Sequence, residues 1–415
     1  MKINIPTEWR LVLLSEVASV QTGLAKGKAV NGRAVELPYL RVANVQDGHI
    51  DLREVKTICV APKDIARYSL RPGDVLFTEG GDFDKLGRGA VWRGEIPICL
   101  HQNHVFAVRP SPDKLLPEFL SALSSSAYGR RYFLSSSKQT TNLASINSTQ
   151  LKEFPIPLPS LAEQRKIAAI LRTWDEAIEK LRALREAKQR QFRWLLRRIM
   201  NDTVRGVVRD GWQEVAFGEI LTESRIPDTV NDPRKRLTVR LHVKGVVARE
   251  FRGTEAKDAT LYFIRKSGQF VYGKQNIFRG AVGIVPPELD GYASSQDIPA
   301  FDIHEKVDSQ WLLHLFSYPS FYKKLEAYAS GSGSKRLHPK DLFKLKISIP
   351  PLSEQKYFVE ILNSAKRETT LLESLEKKYK YQKRGLMQKL LTGEWRVKPD
   401  EANRNCTGKE AQNAE

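Results

Sequence analysis

The chain has 415 residues, room for several domains, with 41% hydrophobic and 28% charged residues, as in ordinary globular protein. Lys and Arg number 67 against 48 Asp and Glu, giving a formal net charge of +19, a surplus that points to a polyanionic partner such as nucleic acid or an anionic membrane surface. There is no apolar run of about 18 residues to span a bilayer, no apolar stretch behind Met1 to act as a secretion signal, and no metal-ligand spacing among Cys59, Cys99 and Cys406, which read as free thiols of a reducing, cytoplasmic compartment.

In chain order, Glu8-Trp-Arg-Leu-Val-Leu-Leu-Ser-Glu-Val17 opens a region of short strands and turns. Val35–Val45 reads as a strand region ending in the Gln46-Asp-Gly48 turn. Pro72-Gly73 feeds a strand to Thr78, Gly80–Gly89 is a Gly-rich charged loop, and His101–Arg109 is another strand. A helix opens near Pro117, with Glu118 in its first turn, and a polar Ser/Thr loop follows at 135–142.

Next comes Ile156-Pro-Leu-Pro-Ser-Leu-Ala-Glu-Gln-Arg-Lys166, then a long periodic segment to about Met200. The same stretch recurs as Ile347-Ser-Ile-Pro-Pro-Leu-Ser-Glu-Gln-Lys356, followed by a second periodic segment to about Leu391; Gln164 and Gln355 align at an offset of 191 residues. Asp210-Gly-Trp-Gln-Glu-Val215 repeats the opening around Trp9, and Thr392-Gly-Glu-Trp-Arg-Val397 echoes it again, which predicts that the two chain ends lie close together. The chain is two half-units in tandem. In the second, Arg236–Lys244 alternates at period two, predicting a strand with Leu237, Val239, Leu241 and Val243 on one face and Arg236, Arg240, His242 and Lys244 on the other. Arg-Gly-Ala occurs in both halves, at 88–90 and 279–281.

The periodic segments have heptad-like spacing. The first seam is Ile167, Ile170, Trp174, Ala177, Leu181, Leu184, Lys188, Gln191 and Leu195. The second is Phe358, Ile361, Ala365, Glu368 or Thr369, Leu372, Leu375, Tyr379, Gln382 and Leu386. This predicts two helices of roughly 35 residues, paired antiparallel within the chain as a left-handed coiled coil, with Leu184 buried. Ser160 or Ser353 is placed to cap, and Glu163 sits at capping-box spacing from Ser160. The expected fold is α+β: two pseudo-repeated globular domains separated by the paired helices.

Catalytic signatures are missing. Gly23-Leu-Ala-Lys26-Gly-Lys28 has Thr22 and Ala29 where a phosphate-binding loop needs Gly and Ser/Thr. There is no Gly-x-Gly-x-x-Gly after a strand, no Gly-x-Ser-x-Gly, no His-Glu-x-x-His, and no amino-methyltransferase or nuclease motif. His101 and His104 lack a marked third ligand, and Gly80-Gly-Asp-Phe-Asp84 reads as a turn. What remains is two related, diverged domains on a helical spacer with a basic surplus, suited to meeting two half-sites on one side of a duplex. A non-catalytic scaffold with non-specific DNA affinity is the alternative.

Taken together, the repeated Pro-Leu-x-Glu-Gln segments, the long helix after each, the two Trp-containing starts, Leu37–Gly48 and Leu70–Phe77 resemble the specificity (S, HsdS) subunit of Type I restriction–modification enzymes, up to about Val397. The resemblance implies a target recognition domain over 1–155, a conserved region with its helix over 156–205, a second recognition domain over 206–346, a second conserved region over 347–397, and a polar tail at 398–415. It further implies a chain without an active site whose domains each read half of an interrupted DNA target. Its helices would set the gap and dock two methyltransferase (M) subunits, with restriction (R) subunits joining the complex. S-adenosylmethionine, ATP and Mg2+ would belong to the complex, with no cofactor on this chain. Base-reading positions vary within such proteins, so DNA-contact candidates come from loop chemistry: Lys26, Lys28, Arg33, Lys85, Arg88 and Lys138 in the first domain, and Arg234, Lys235, Arg240, Lys274, Arg279 and Lys335 in the second.

Overall fold

A computed structural model describes residues 5–25, 33–81, 86–139, 144–207, 209–251, 253, 261–331 and 333–398. The chain forms two compact units, one from residues 1–181 with 375–415 and the other from 182–374.

Both units are built on the same strand order. In the first, Ala18–Thr22, Val105–Pro110, Val75–Thr78 and Gly89–Val91 form an antiparallel sheet in that spatial order. In the second, Leu221–Ser224, Ala300–Ile303, Phe270–Tyr272 and Val282–Ile284 do the same. The central strands are buried along their whole length. A strand covered on both faces needs an unbroken apolar run, which Val75-Leu-Phe and Phe270-Val-Tyr supply. Helices Pro117–Ser125 and Ser309–Ser317 put Phe119, Leu120 and Leu123, and Trp311, Leu312, Leu315 and Phe316, into the two cores. Asp308 caps the second of these, its carboxylate accepting from Gln310 and Trp311 N–H at 2.9 and 3.0 Å. In each unit the opening strand also pairs antiparallel with the strand that leads into a long helix: Arg10–Leu13 with Pro155–Leu158, and Gln213–Ala216 with Lys346–Ile349.

The long helices run Leu161–Arg205 and Leu352–Leu391, 45 and 40 residues, or about 68 and 60 Å at 1.5 Å per residue, longer than the sequence period suggests. They pair antiparallel. In the first unit the rings of Trp174 and Tyr379 lie 5.4 Å apart and Lys383 pairs with Asp175; in the second, Lys188 meets Glu368 at 2.8 Å.

The seam is shifted from the expected one. Ile167, Trp174, Leu181 and Leu195 on the first helix, and Phe358, Leu372 and Leu386 on the second, are buried or half-buried as expected. Ile170 and Ile361 are half-buried, beside the more deeply buried Leu171 and Leu362. Leu184 and Leu375 are 47% and 38% exposed, and Gln191 and Gln382 also face outward. Ala177, Lys188, Ala365, Thr369 and Tyr379 are half-buried as expected, and the further inward positions are Leu171, Ile178, Arg185 and Phe192 on one helix, and Leu362, Glu376 and Lys383 on the other. Apolar pairs at 170/171 and 177/178 fit either phase, and docking of the helix ends decides between them. Ile167 and Leu171 sit in the first unit's core with Leu390 and Leu391, while Leu196, Met200 and Leu362 sit in the second's. That phase, carried to the middle, turns Glu376 inward, where Lys380 binds it at 2.6 Å, and leaves Leu184 and Leu375 outside.

The second unit departs from the period-two reading. Only Leu237–Val239 is strand; it pairs with Val246–Ala248, and 240–245 form the turn between them. Arg236 is not on an exposed basic face. It is buried, ion-paired with Asp228, its guanidinium 3.6 Å from the Tyr262 ring centre.

Candidate nucleic-acid interface

The repeated Glu-Gln pair proves to be the joint of each unit. Gln164 is wholly buried; its amide donates to Lys114 and Pro159 carbonyls at 2.9 and 3.0 Å and accepts from Leu116 N–H at 2.8 Å. Gln355 repeats this with Lys306 and Pro350 carbonyls at 3.0 and 2.9 Å and Asp308 N–H at 2.8 Å. Glu163 and Glu354 receive the indole N–H of Trp9 and Trp212, at 3.0 and 2.9 Å. The capping-box expectation for Glu163 therefore fails. Ser160 Oγ does accept from Glu163 N–H, at 3.3 Å, but the Glu163 carboxylate is taken by Trp9 and by Arg396 at 2.8 Å. Ser160 is thus the cap of its helix, whereas Ser353 is not, since it lies inside the first turn of the second. Arg396 also reaches Glu8 at 2.8 Å, so the segment after the second helix closes against the opening of the first unit.

This frame holds outward-facing basic loops. Among the DNA-contact candidates, Lys26, Lys28 and Lys85 lie outside the described residues. Arg33 is exposed. Lys138 is exposed on a two-residue strand in a small sheet with Ala144–Ser145 and Gly80–Gly81. Arg88 is half-buried, with a guanidinium nitrogen 3.4 Å from Gln46 Oε1. In the second unit, Arg234, Lys235, Arg240 and Arg279 are exposed. Lys335 is paired with Glu326 at 3.1 Å. Lys274 is half-buried, and burial lowers the pKa of its amine.

The structure brings some of these together. His242 N–H donates to the Arg279 carbonyl at 2.9 Å, which sets the turn carrying Arg240 against the one carrying Arg279. Leu337 N–H donates to the Lys274 carbonyl at 3.0 Å, so the segment bearing Lys335 runs beside Lys274. The two Arg-Gly-Ala triplets, in contrast, are not equivalent. Gly89 pairs with Phe77 across the first sheet, whereas Val282 pairs with Tyr272 across the second, so the triplets stand two residues out of step. Arg130, by sequence a helix-flanking residue, does donate to the Ser125 carbonyl at 3.1 Å, at the end of helix Pro117–Ser125; its ion pair with Asp47 of the Gln46–Gly48 turn joins residues that only the fold brings together.

Among the described residues no group of three or more His, Cys, Asp or Glu could hold a metal, and no helix is long and apolar enough to cross a membrane. Cys59 and Cys99 are unpaired; Cys406 lies outside the described residues.

Two repeated sheet units joined by paired helices define a chain that presents two related surfaces. The Type I restriction modification DNA specificity domain family matches residues 6–189 and 255–380. The chain belongs to this family, as a non-catalytic specificity (S, HsdS) subunit. It is 26% identical over 417 residues to the putative type I restriction enzyme MjaX specificity subunit of Methanocaldococcus jannaschii, covering 95% of each chain. To the EcoKI specificity subunit of Escherichia coli it is 27% identical over 197 residues, 45% of this chain and 39% of that one. Among solved structures, the HsdS subunit from Thermoanaerobacter tengcongensis shares the fold with a TM-score of 0.54 at 19% identity, covering 94% of this chain and 98% of that one. A chain from a study of complex assembly in the type I R-M system gives a TM-score of 0.62 at 19% identity, covering 95% and 100%. Its general role is DNA recognition within a Type I restriction–modification system.

Proposed function

We propose that this chain reads a bipartite duplex target, each recognition domain (1–155 and 206–346) meeting one half-site, with the paired helices of the two conserved regions (156–205 and 347–397) setting the gap. The observation that carries this reading is the pair of sheets with one strand order and different exposed loops, mounted on helices that each run unbroken through both units. One frame used twice with different loop residues recognises two different sequences. Arg33, Arg88, Lys138, Arg234, Lys235, Arg240, Lys274, Arg279 and Lys335 are the described candidates for DNA contact, joined by Lys26, Lys28 and Lys85, with Arg and Lys neutralising phosphate or forking onto guanine.

The helices would also dock two M subunits. Exposed Leu184, Trp194, Leu371, Leu375 and Tyr381 leave apolar ground on their outer faces, as a docking surface requires. R subunits would join through that complex in the cytoplasm. S-adenosylmethionine, ATP and Mg2+ would act there on the partner subunits, none held by this chain. The test is genome-wide mapping of N6-methyladenine in cells expressing the M subunit with and without this chain. A bipartite methylated motif that needs this chain is the expected result; its absence from a complex with active methyltransferase would leave the scaffold reading.

A further inference from the structure

Turn 240–245 of the second unit is built unlike its counterpart in the first. The two tips occupy the same place in the topology. Tyr39 pairs in parallel with Leu100, as Arg236 does with Ala293, and the tip that follows donates a backbone N–H into the neighbouring hairpin: Gly48 to the Gly89 carbonyl at 3.2 Å, Val243 to the Gly280 carbonyl at 2.8 Å. In the first unit the tip is Gln46-Asp47-Gly48. Glycine takes the left-handed position at φ 76°, and the neighbouring side chains have protein partners, Gln46 with Arg88 and Asp47 with Arg130.

In the second unit the central pair is His242-Val243, both left-handed, at φ 58° and 57°. A β-branched residue is a poor occupant of that region, and Asn-Gly or Asp-Gly is the ordinary choice for such a turn. The conformation is imposed from outside. His242 and Val243 N–H are bound by the Arg279 and Gly280 carbonyls, and the half-buried Val243 side chain packs on the second unit's core. Gly280 suits this contact, being itself left-handed at φ 73°, and a Cβ on it would press on Val243, 3.1 Å from Cγ2 and 3.2 Å from N. Val243 is thus the anchor. The side chains left pointing out are Arg240, His242 and Lys244, with Arg279 on the supporting turn, all exposed and with no side-chain partner among the described residues.

A strained turn, clamped on its inner side and bare on its outer side, fits a task for the outer side chains. Resting on the DNA-reading function proposed above, we infer that this turn is a specificity finger for the second unit's half-site: His242 hydrogen-bonds a base edge, while Arg240, Lys244 and Arg279 seat on the flanking phosphates. An exposed imidazole offers one donor and one acceptor, which matches the mixed donor and acceptor edges of the major groove. The three cations neutralise phosphate without reading sequence.

The test uses the full chain with its M subunits. His242→Gly and His242→Asn both accept the left-handed backbone, so each is expected to keep the wild-type melting temperature. Both should lower the affinity ratio between the methylated motif and a copy changed at one base pair of the second half-site by about tenfold, widening the methylated motif at that position. Arg240→Ala and Lys244→Ala should weaken binding to all sequences and each flatten the dependence of log affinity on log salt by about 1. Unchanged discrimination in both His242 variants, with the wild-type complex still selective, would overturn the finger and leave the bipartite reading standing. A wild-type complex that selects no sequence would overturn both.

Discussion

Truncation of Gln164 to alanine tests what the repeated Glu-Gln motif is for. The side chain is wholly buried and makes three bonds, all to backbone: it donates to the Lys114 and Pro159 carbonyls and accepts from Leu116 N–H. At about 1 kcal/mol net per bond, their loss amounts to about 3 kcal/mol, and the Pro159 carbonyl, left buried without a partner, takes the cost toward about 5 kcal/mol. Gln164→Met separates hydrogen bonding from packing, because it keeps the volume and makes none of the bonds. The Met variant should therefore fall within about 1 kcal/mol of the alanine variant. Gln355→Ala should cost a similar amount in the other unit, where the bonds repeat. Urea unfolding of the full chain, followed by circular dichroism, reads these differences from the midpoints. Recovery of wild-type stability by Gln164→Met, or a loss below about 1 kcal/mol in Gln164→Ala, would refute the argument that the motif is a hydrogen-bonding joint.

Two further outcomes follow from burial. Ile178→Asp, at an 8% exposed seam position, should cost about 3 kcal/mol or more by placing a charge in apolar packing, whereas Leu184→Asp should cost less than about 1 kcal/mol; melting temperatures in the reverse order would restore the seam read from sequence. Burial pushes the His314 imidazole down to about 4 from 6.5, against the opposing effect of its 3.0 Å hydrogen bond to Asn363. Between those values the unfolded chain takes up a proton that the folded chain refuses, so stability should fall as pH drops from 6.5 toward 4, by at most about 3 kcal/mol from this group. His314→Gln should flatten that part of the pH–stability curve, and an unaltered slope would show that His314 is not its source.

Helix starts were legible in the sequence because the signal is local and appears twice: prolines that keep the entry extended, then Glu-Gln, then a periodic run. The seam phase was not. Ile170 and Leu171, and Ala177 and Ile178, satisfy two registers equally, and the choice is made by the cores into which Ile167, Leu171, Met200 and Leu362 dock. The capping box failed for a related reason. Glu163 stands at the right distance from Ser160, but an indole N–H 154 residues away in sequence offers its carboxylate a better-placed partner. Turn 240–245 was read as strand since its alternation is regular through Lys244, and nothing nearby in sequence announces that the Arg279 and Gly280 carbonyls will force two residues into the left-handed region. DNA-contact candidates were legible only as charge. Their sorting into paired, half-buried and bare required the fold.

The two halves can be compared within one chain, and the comparison separates frame from function. Where they agree, at the Trp–Glu contact and the three bonds of each Gln, the partners are almost all backbone groups, so the geometry is set by the chain path and the side chain has no freedom to change. Where they differ, as at Asp47-Gly48 against His242-Val243, the backbone still makes its bond to the adjacent hairpin, and the outward side chains do not take part in that bond. Substitution at a tip can therefore alter what a unit touches while leaving intact the joint that positions it on its helix. On the proposed reading of one half-site per unit, this division between backbone-bound joints and side-chain-bearing tips lets the tip of either unit vary without disturbing the joint beneath it.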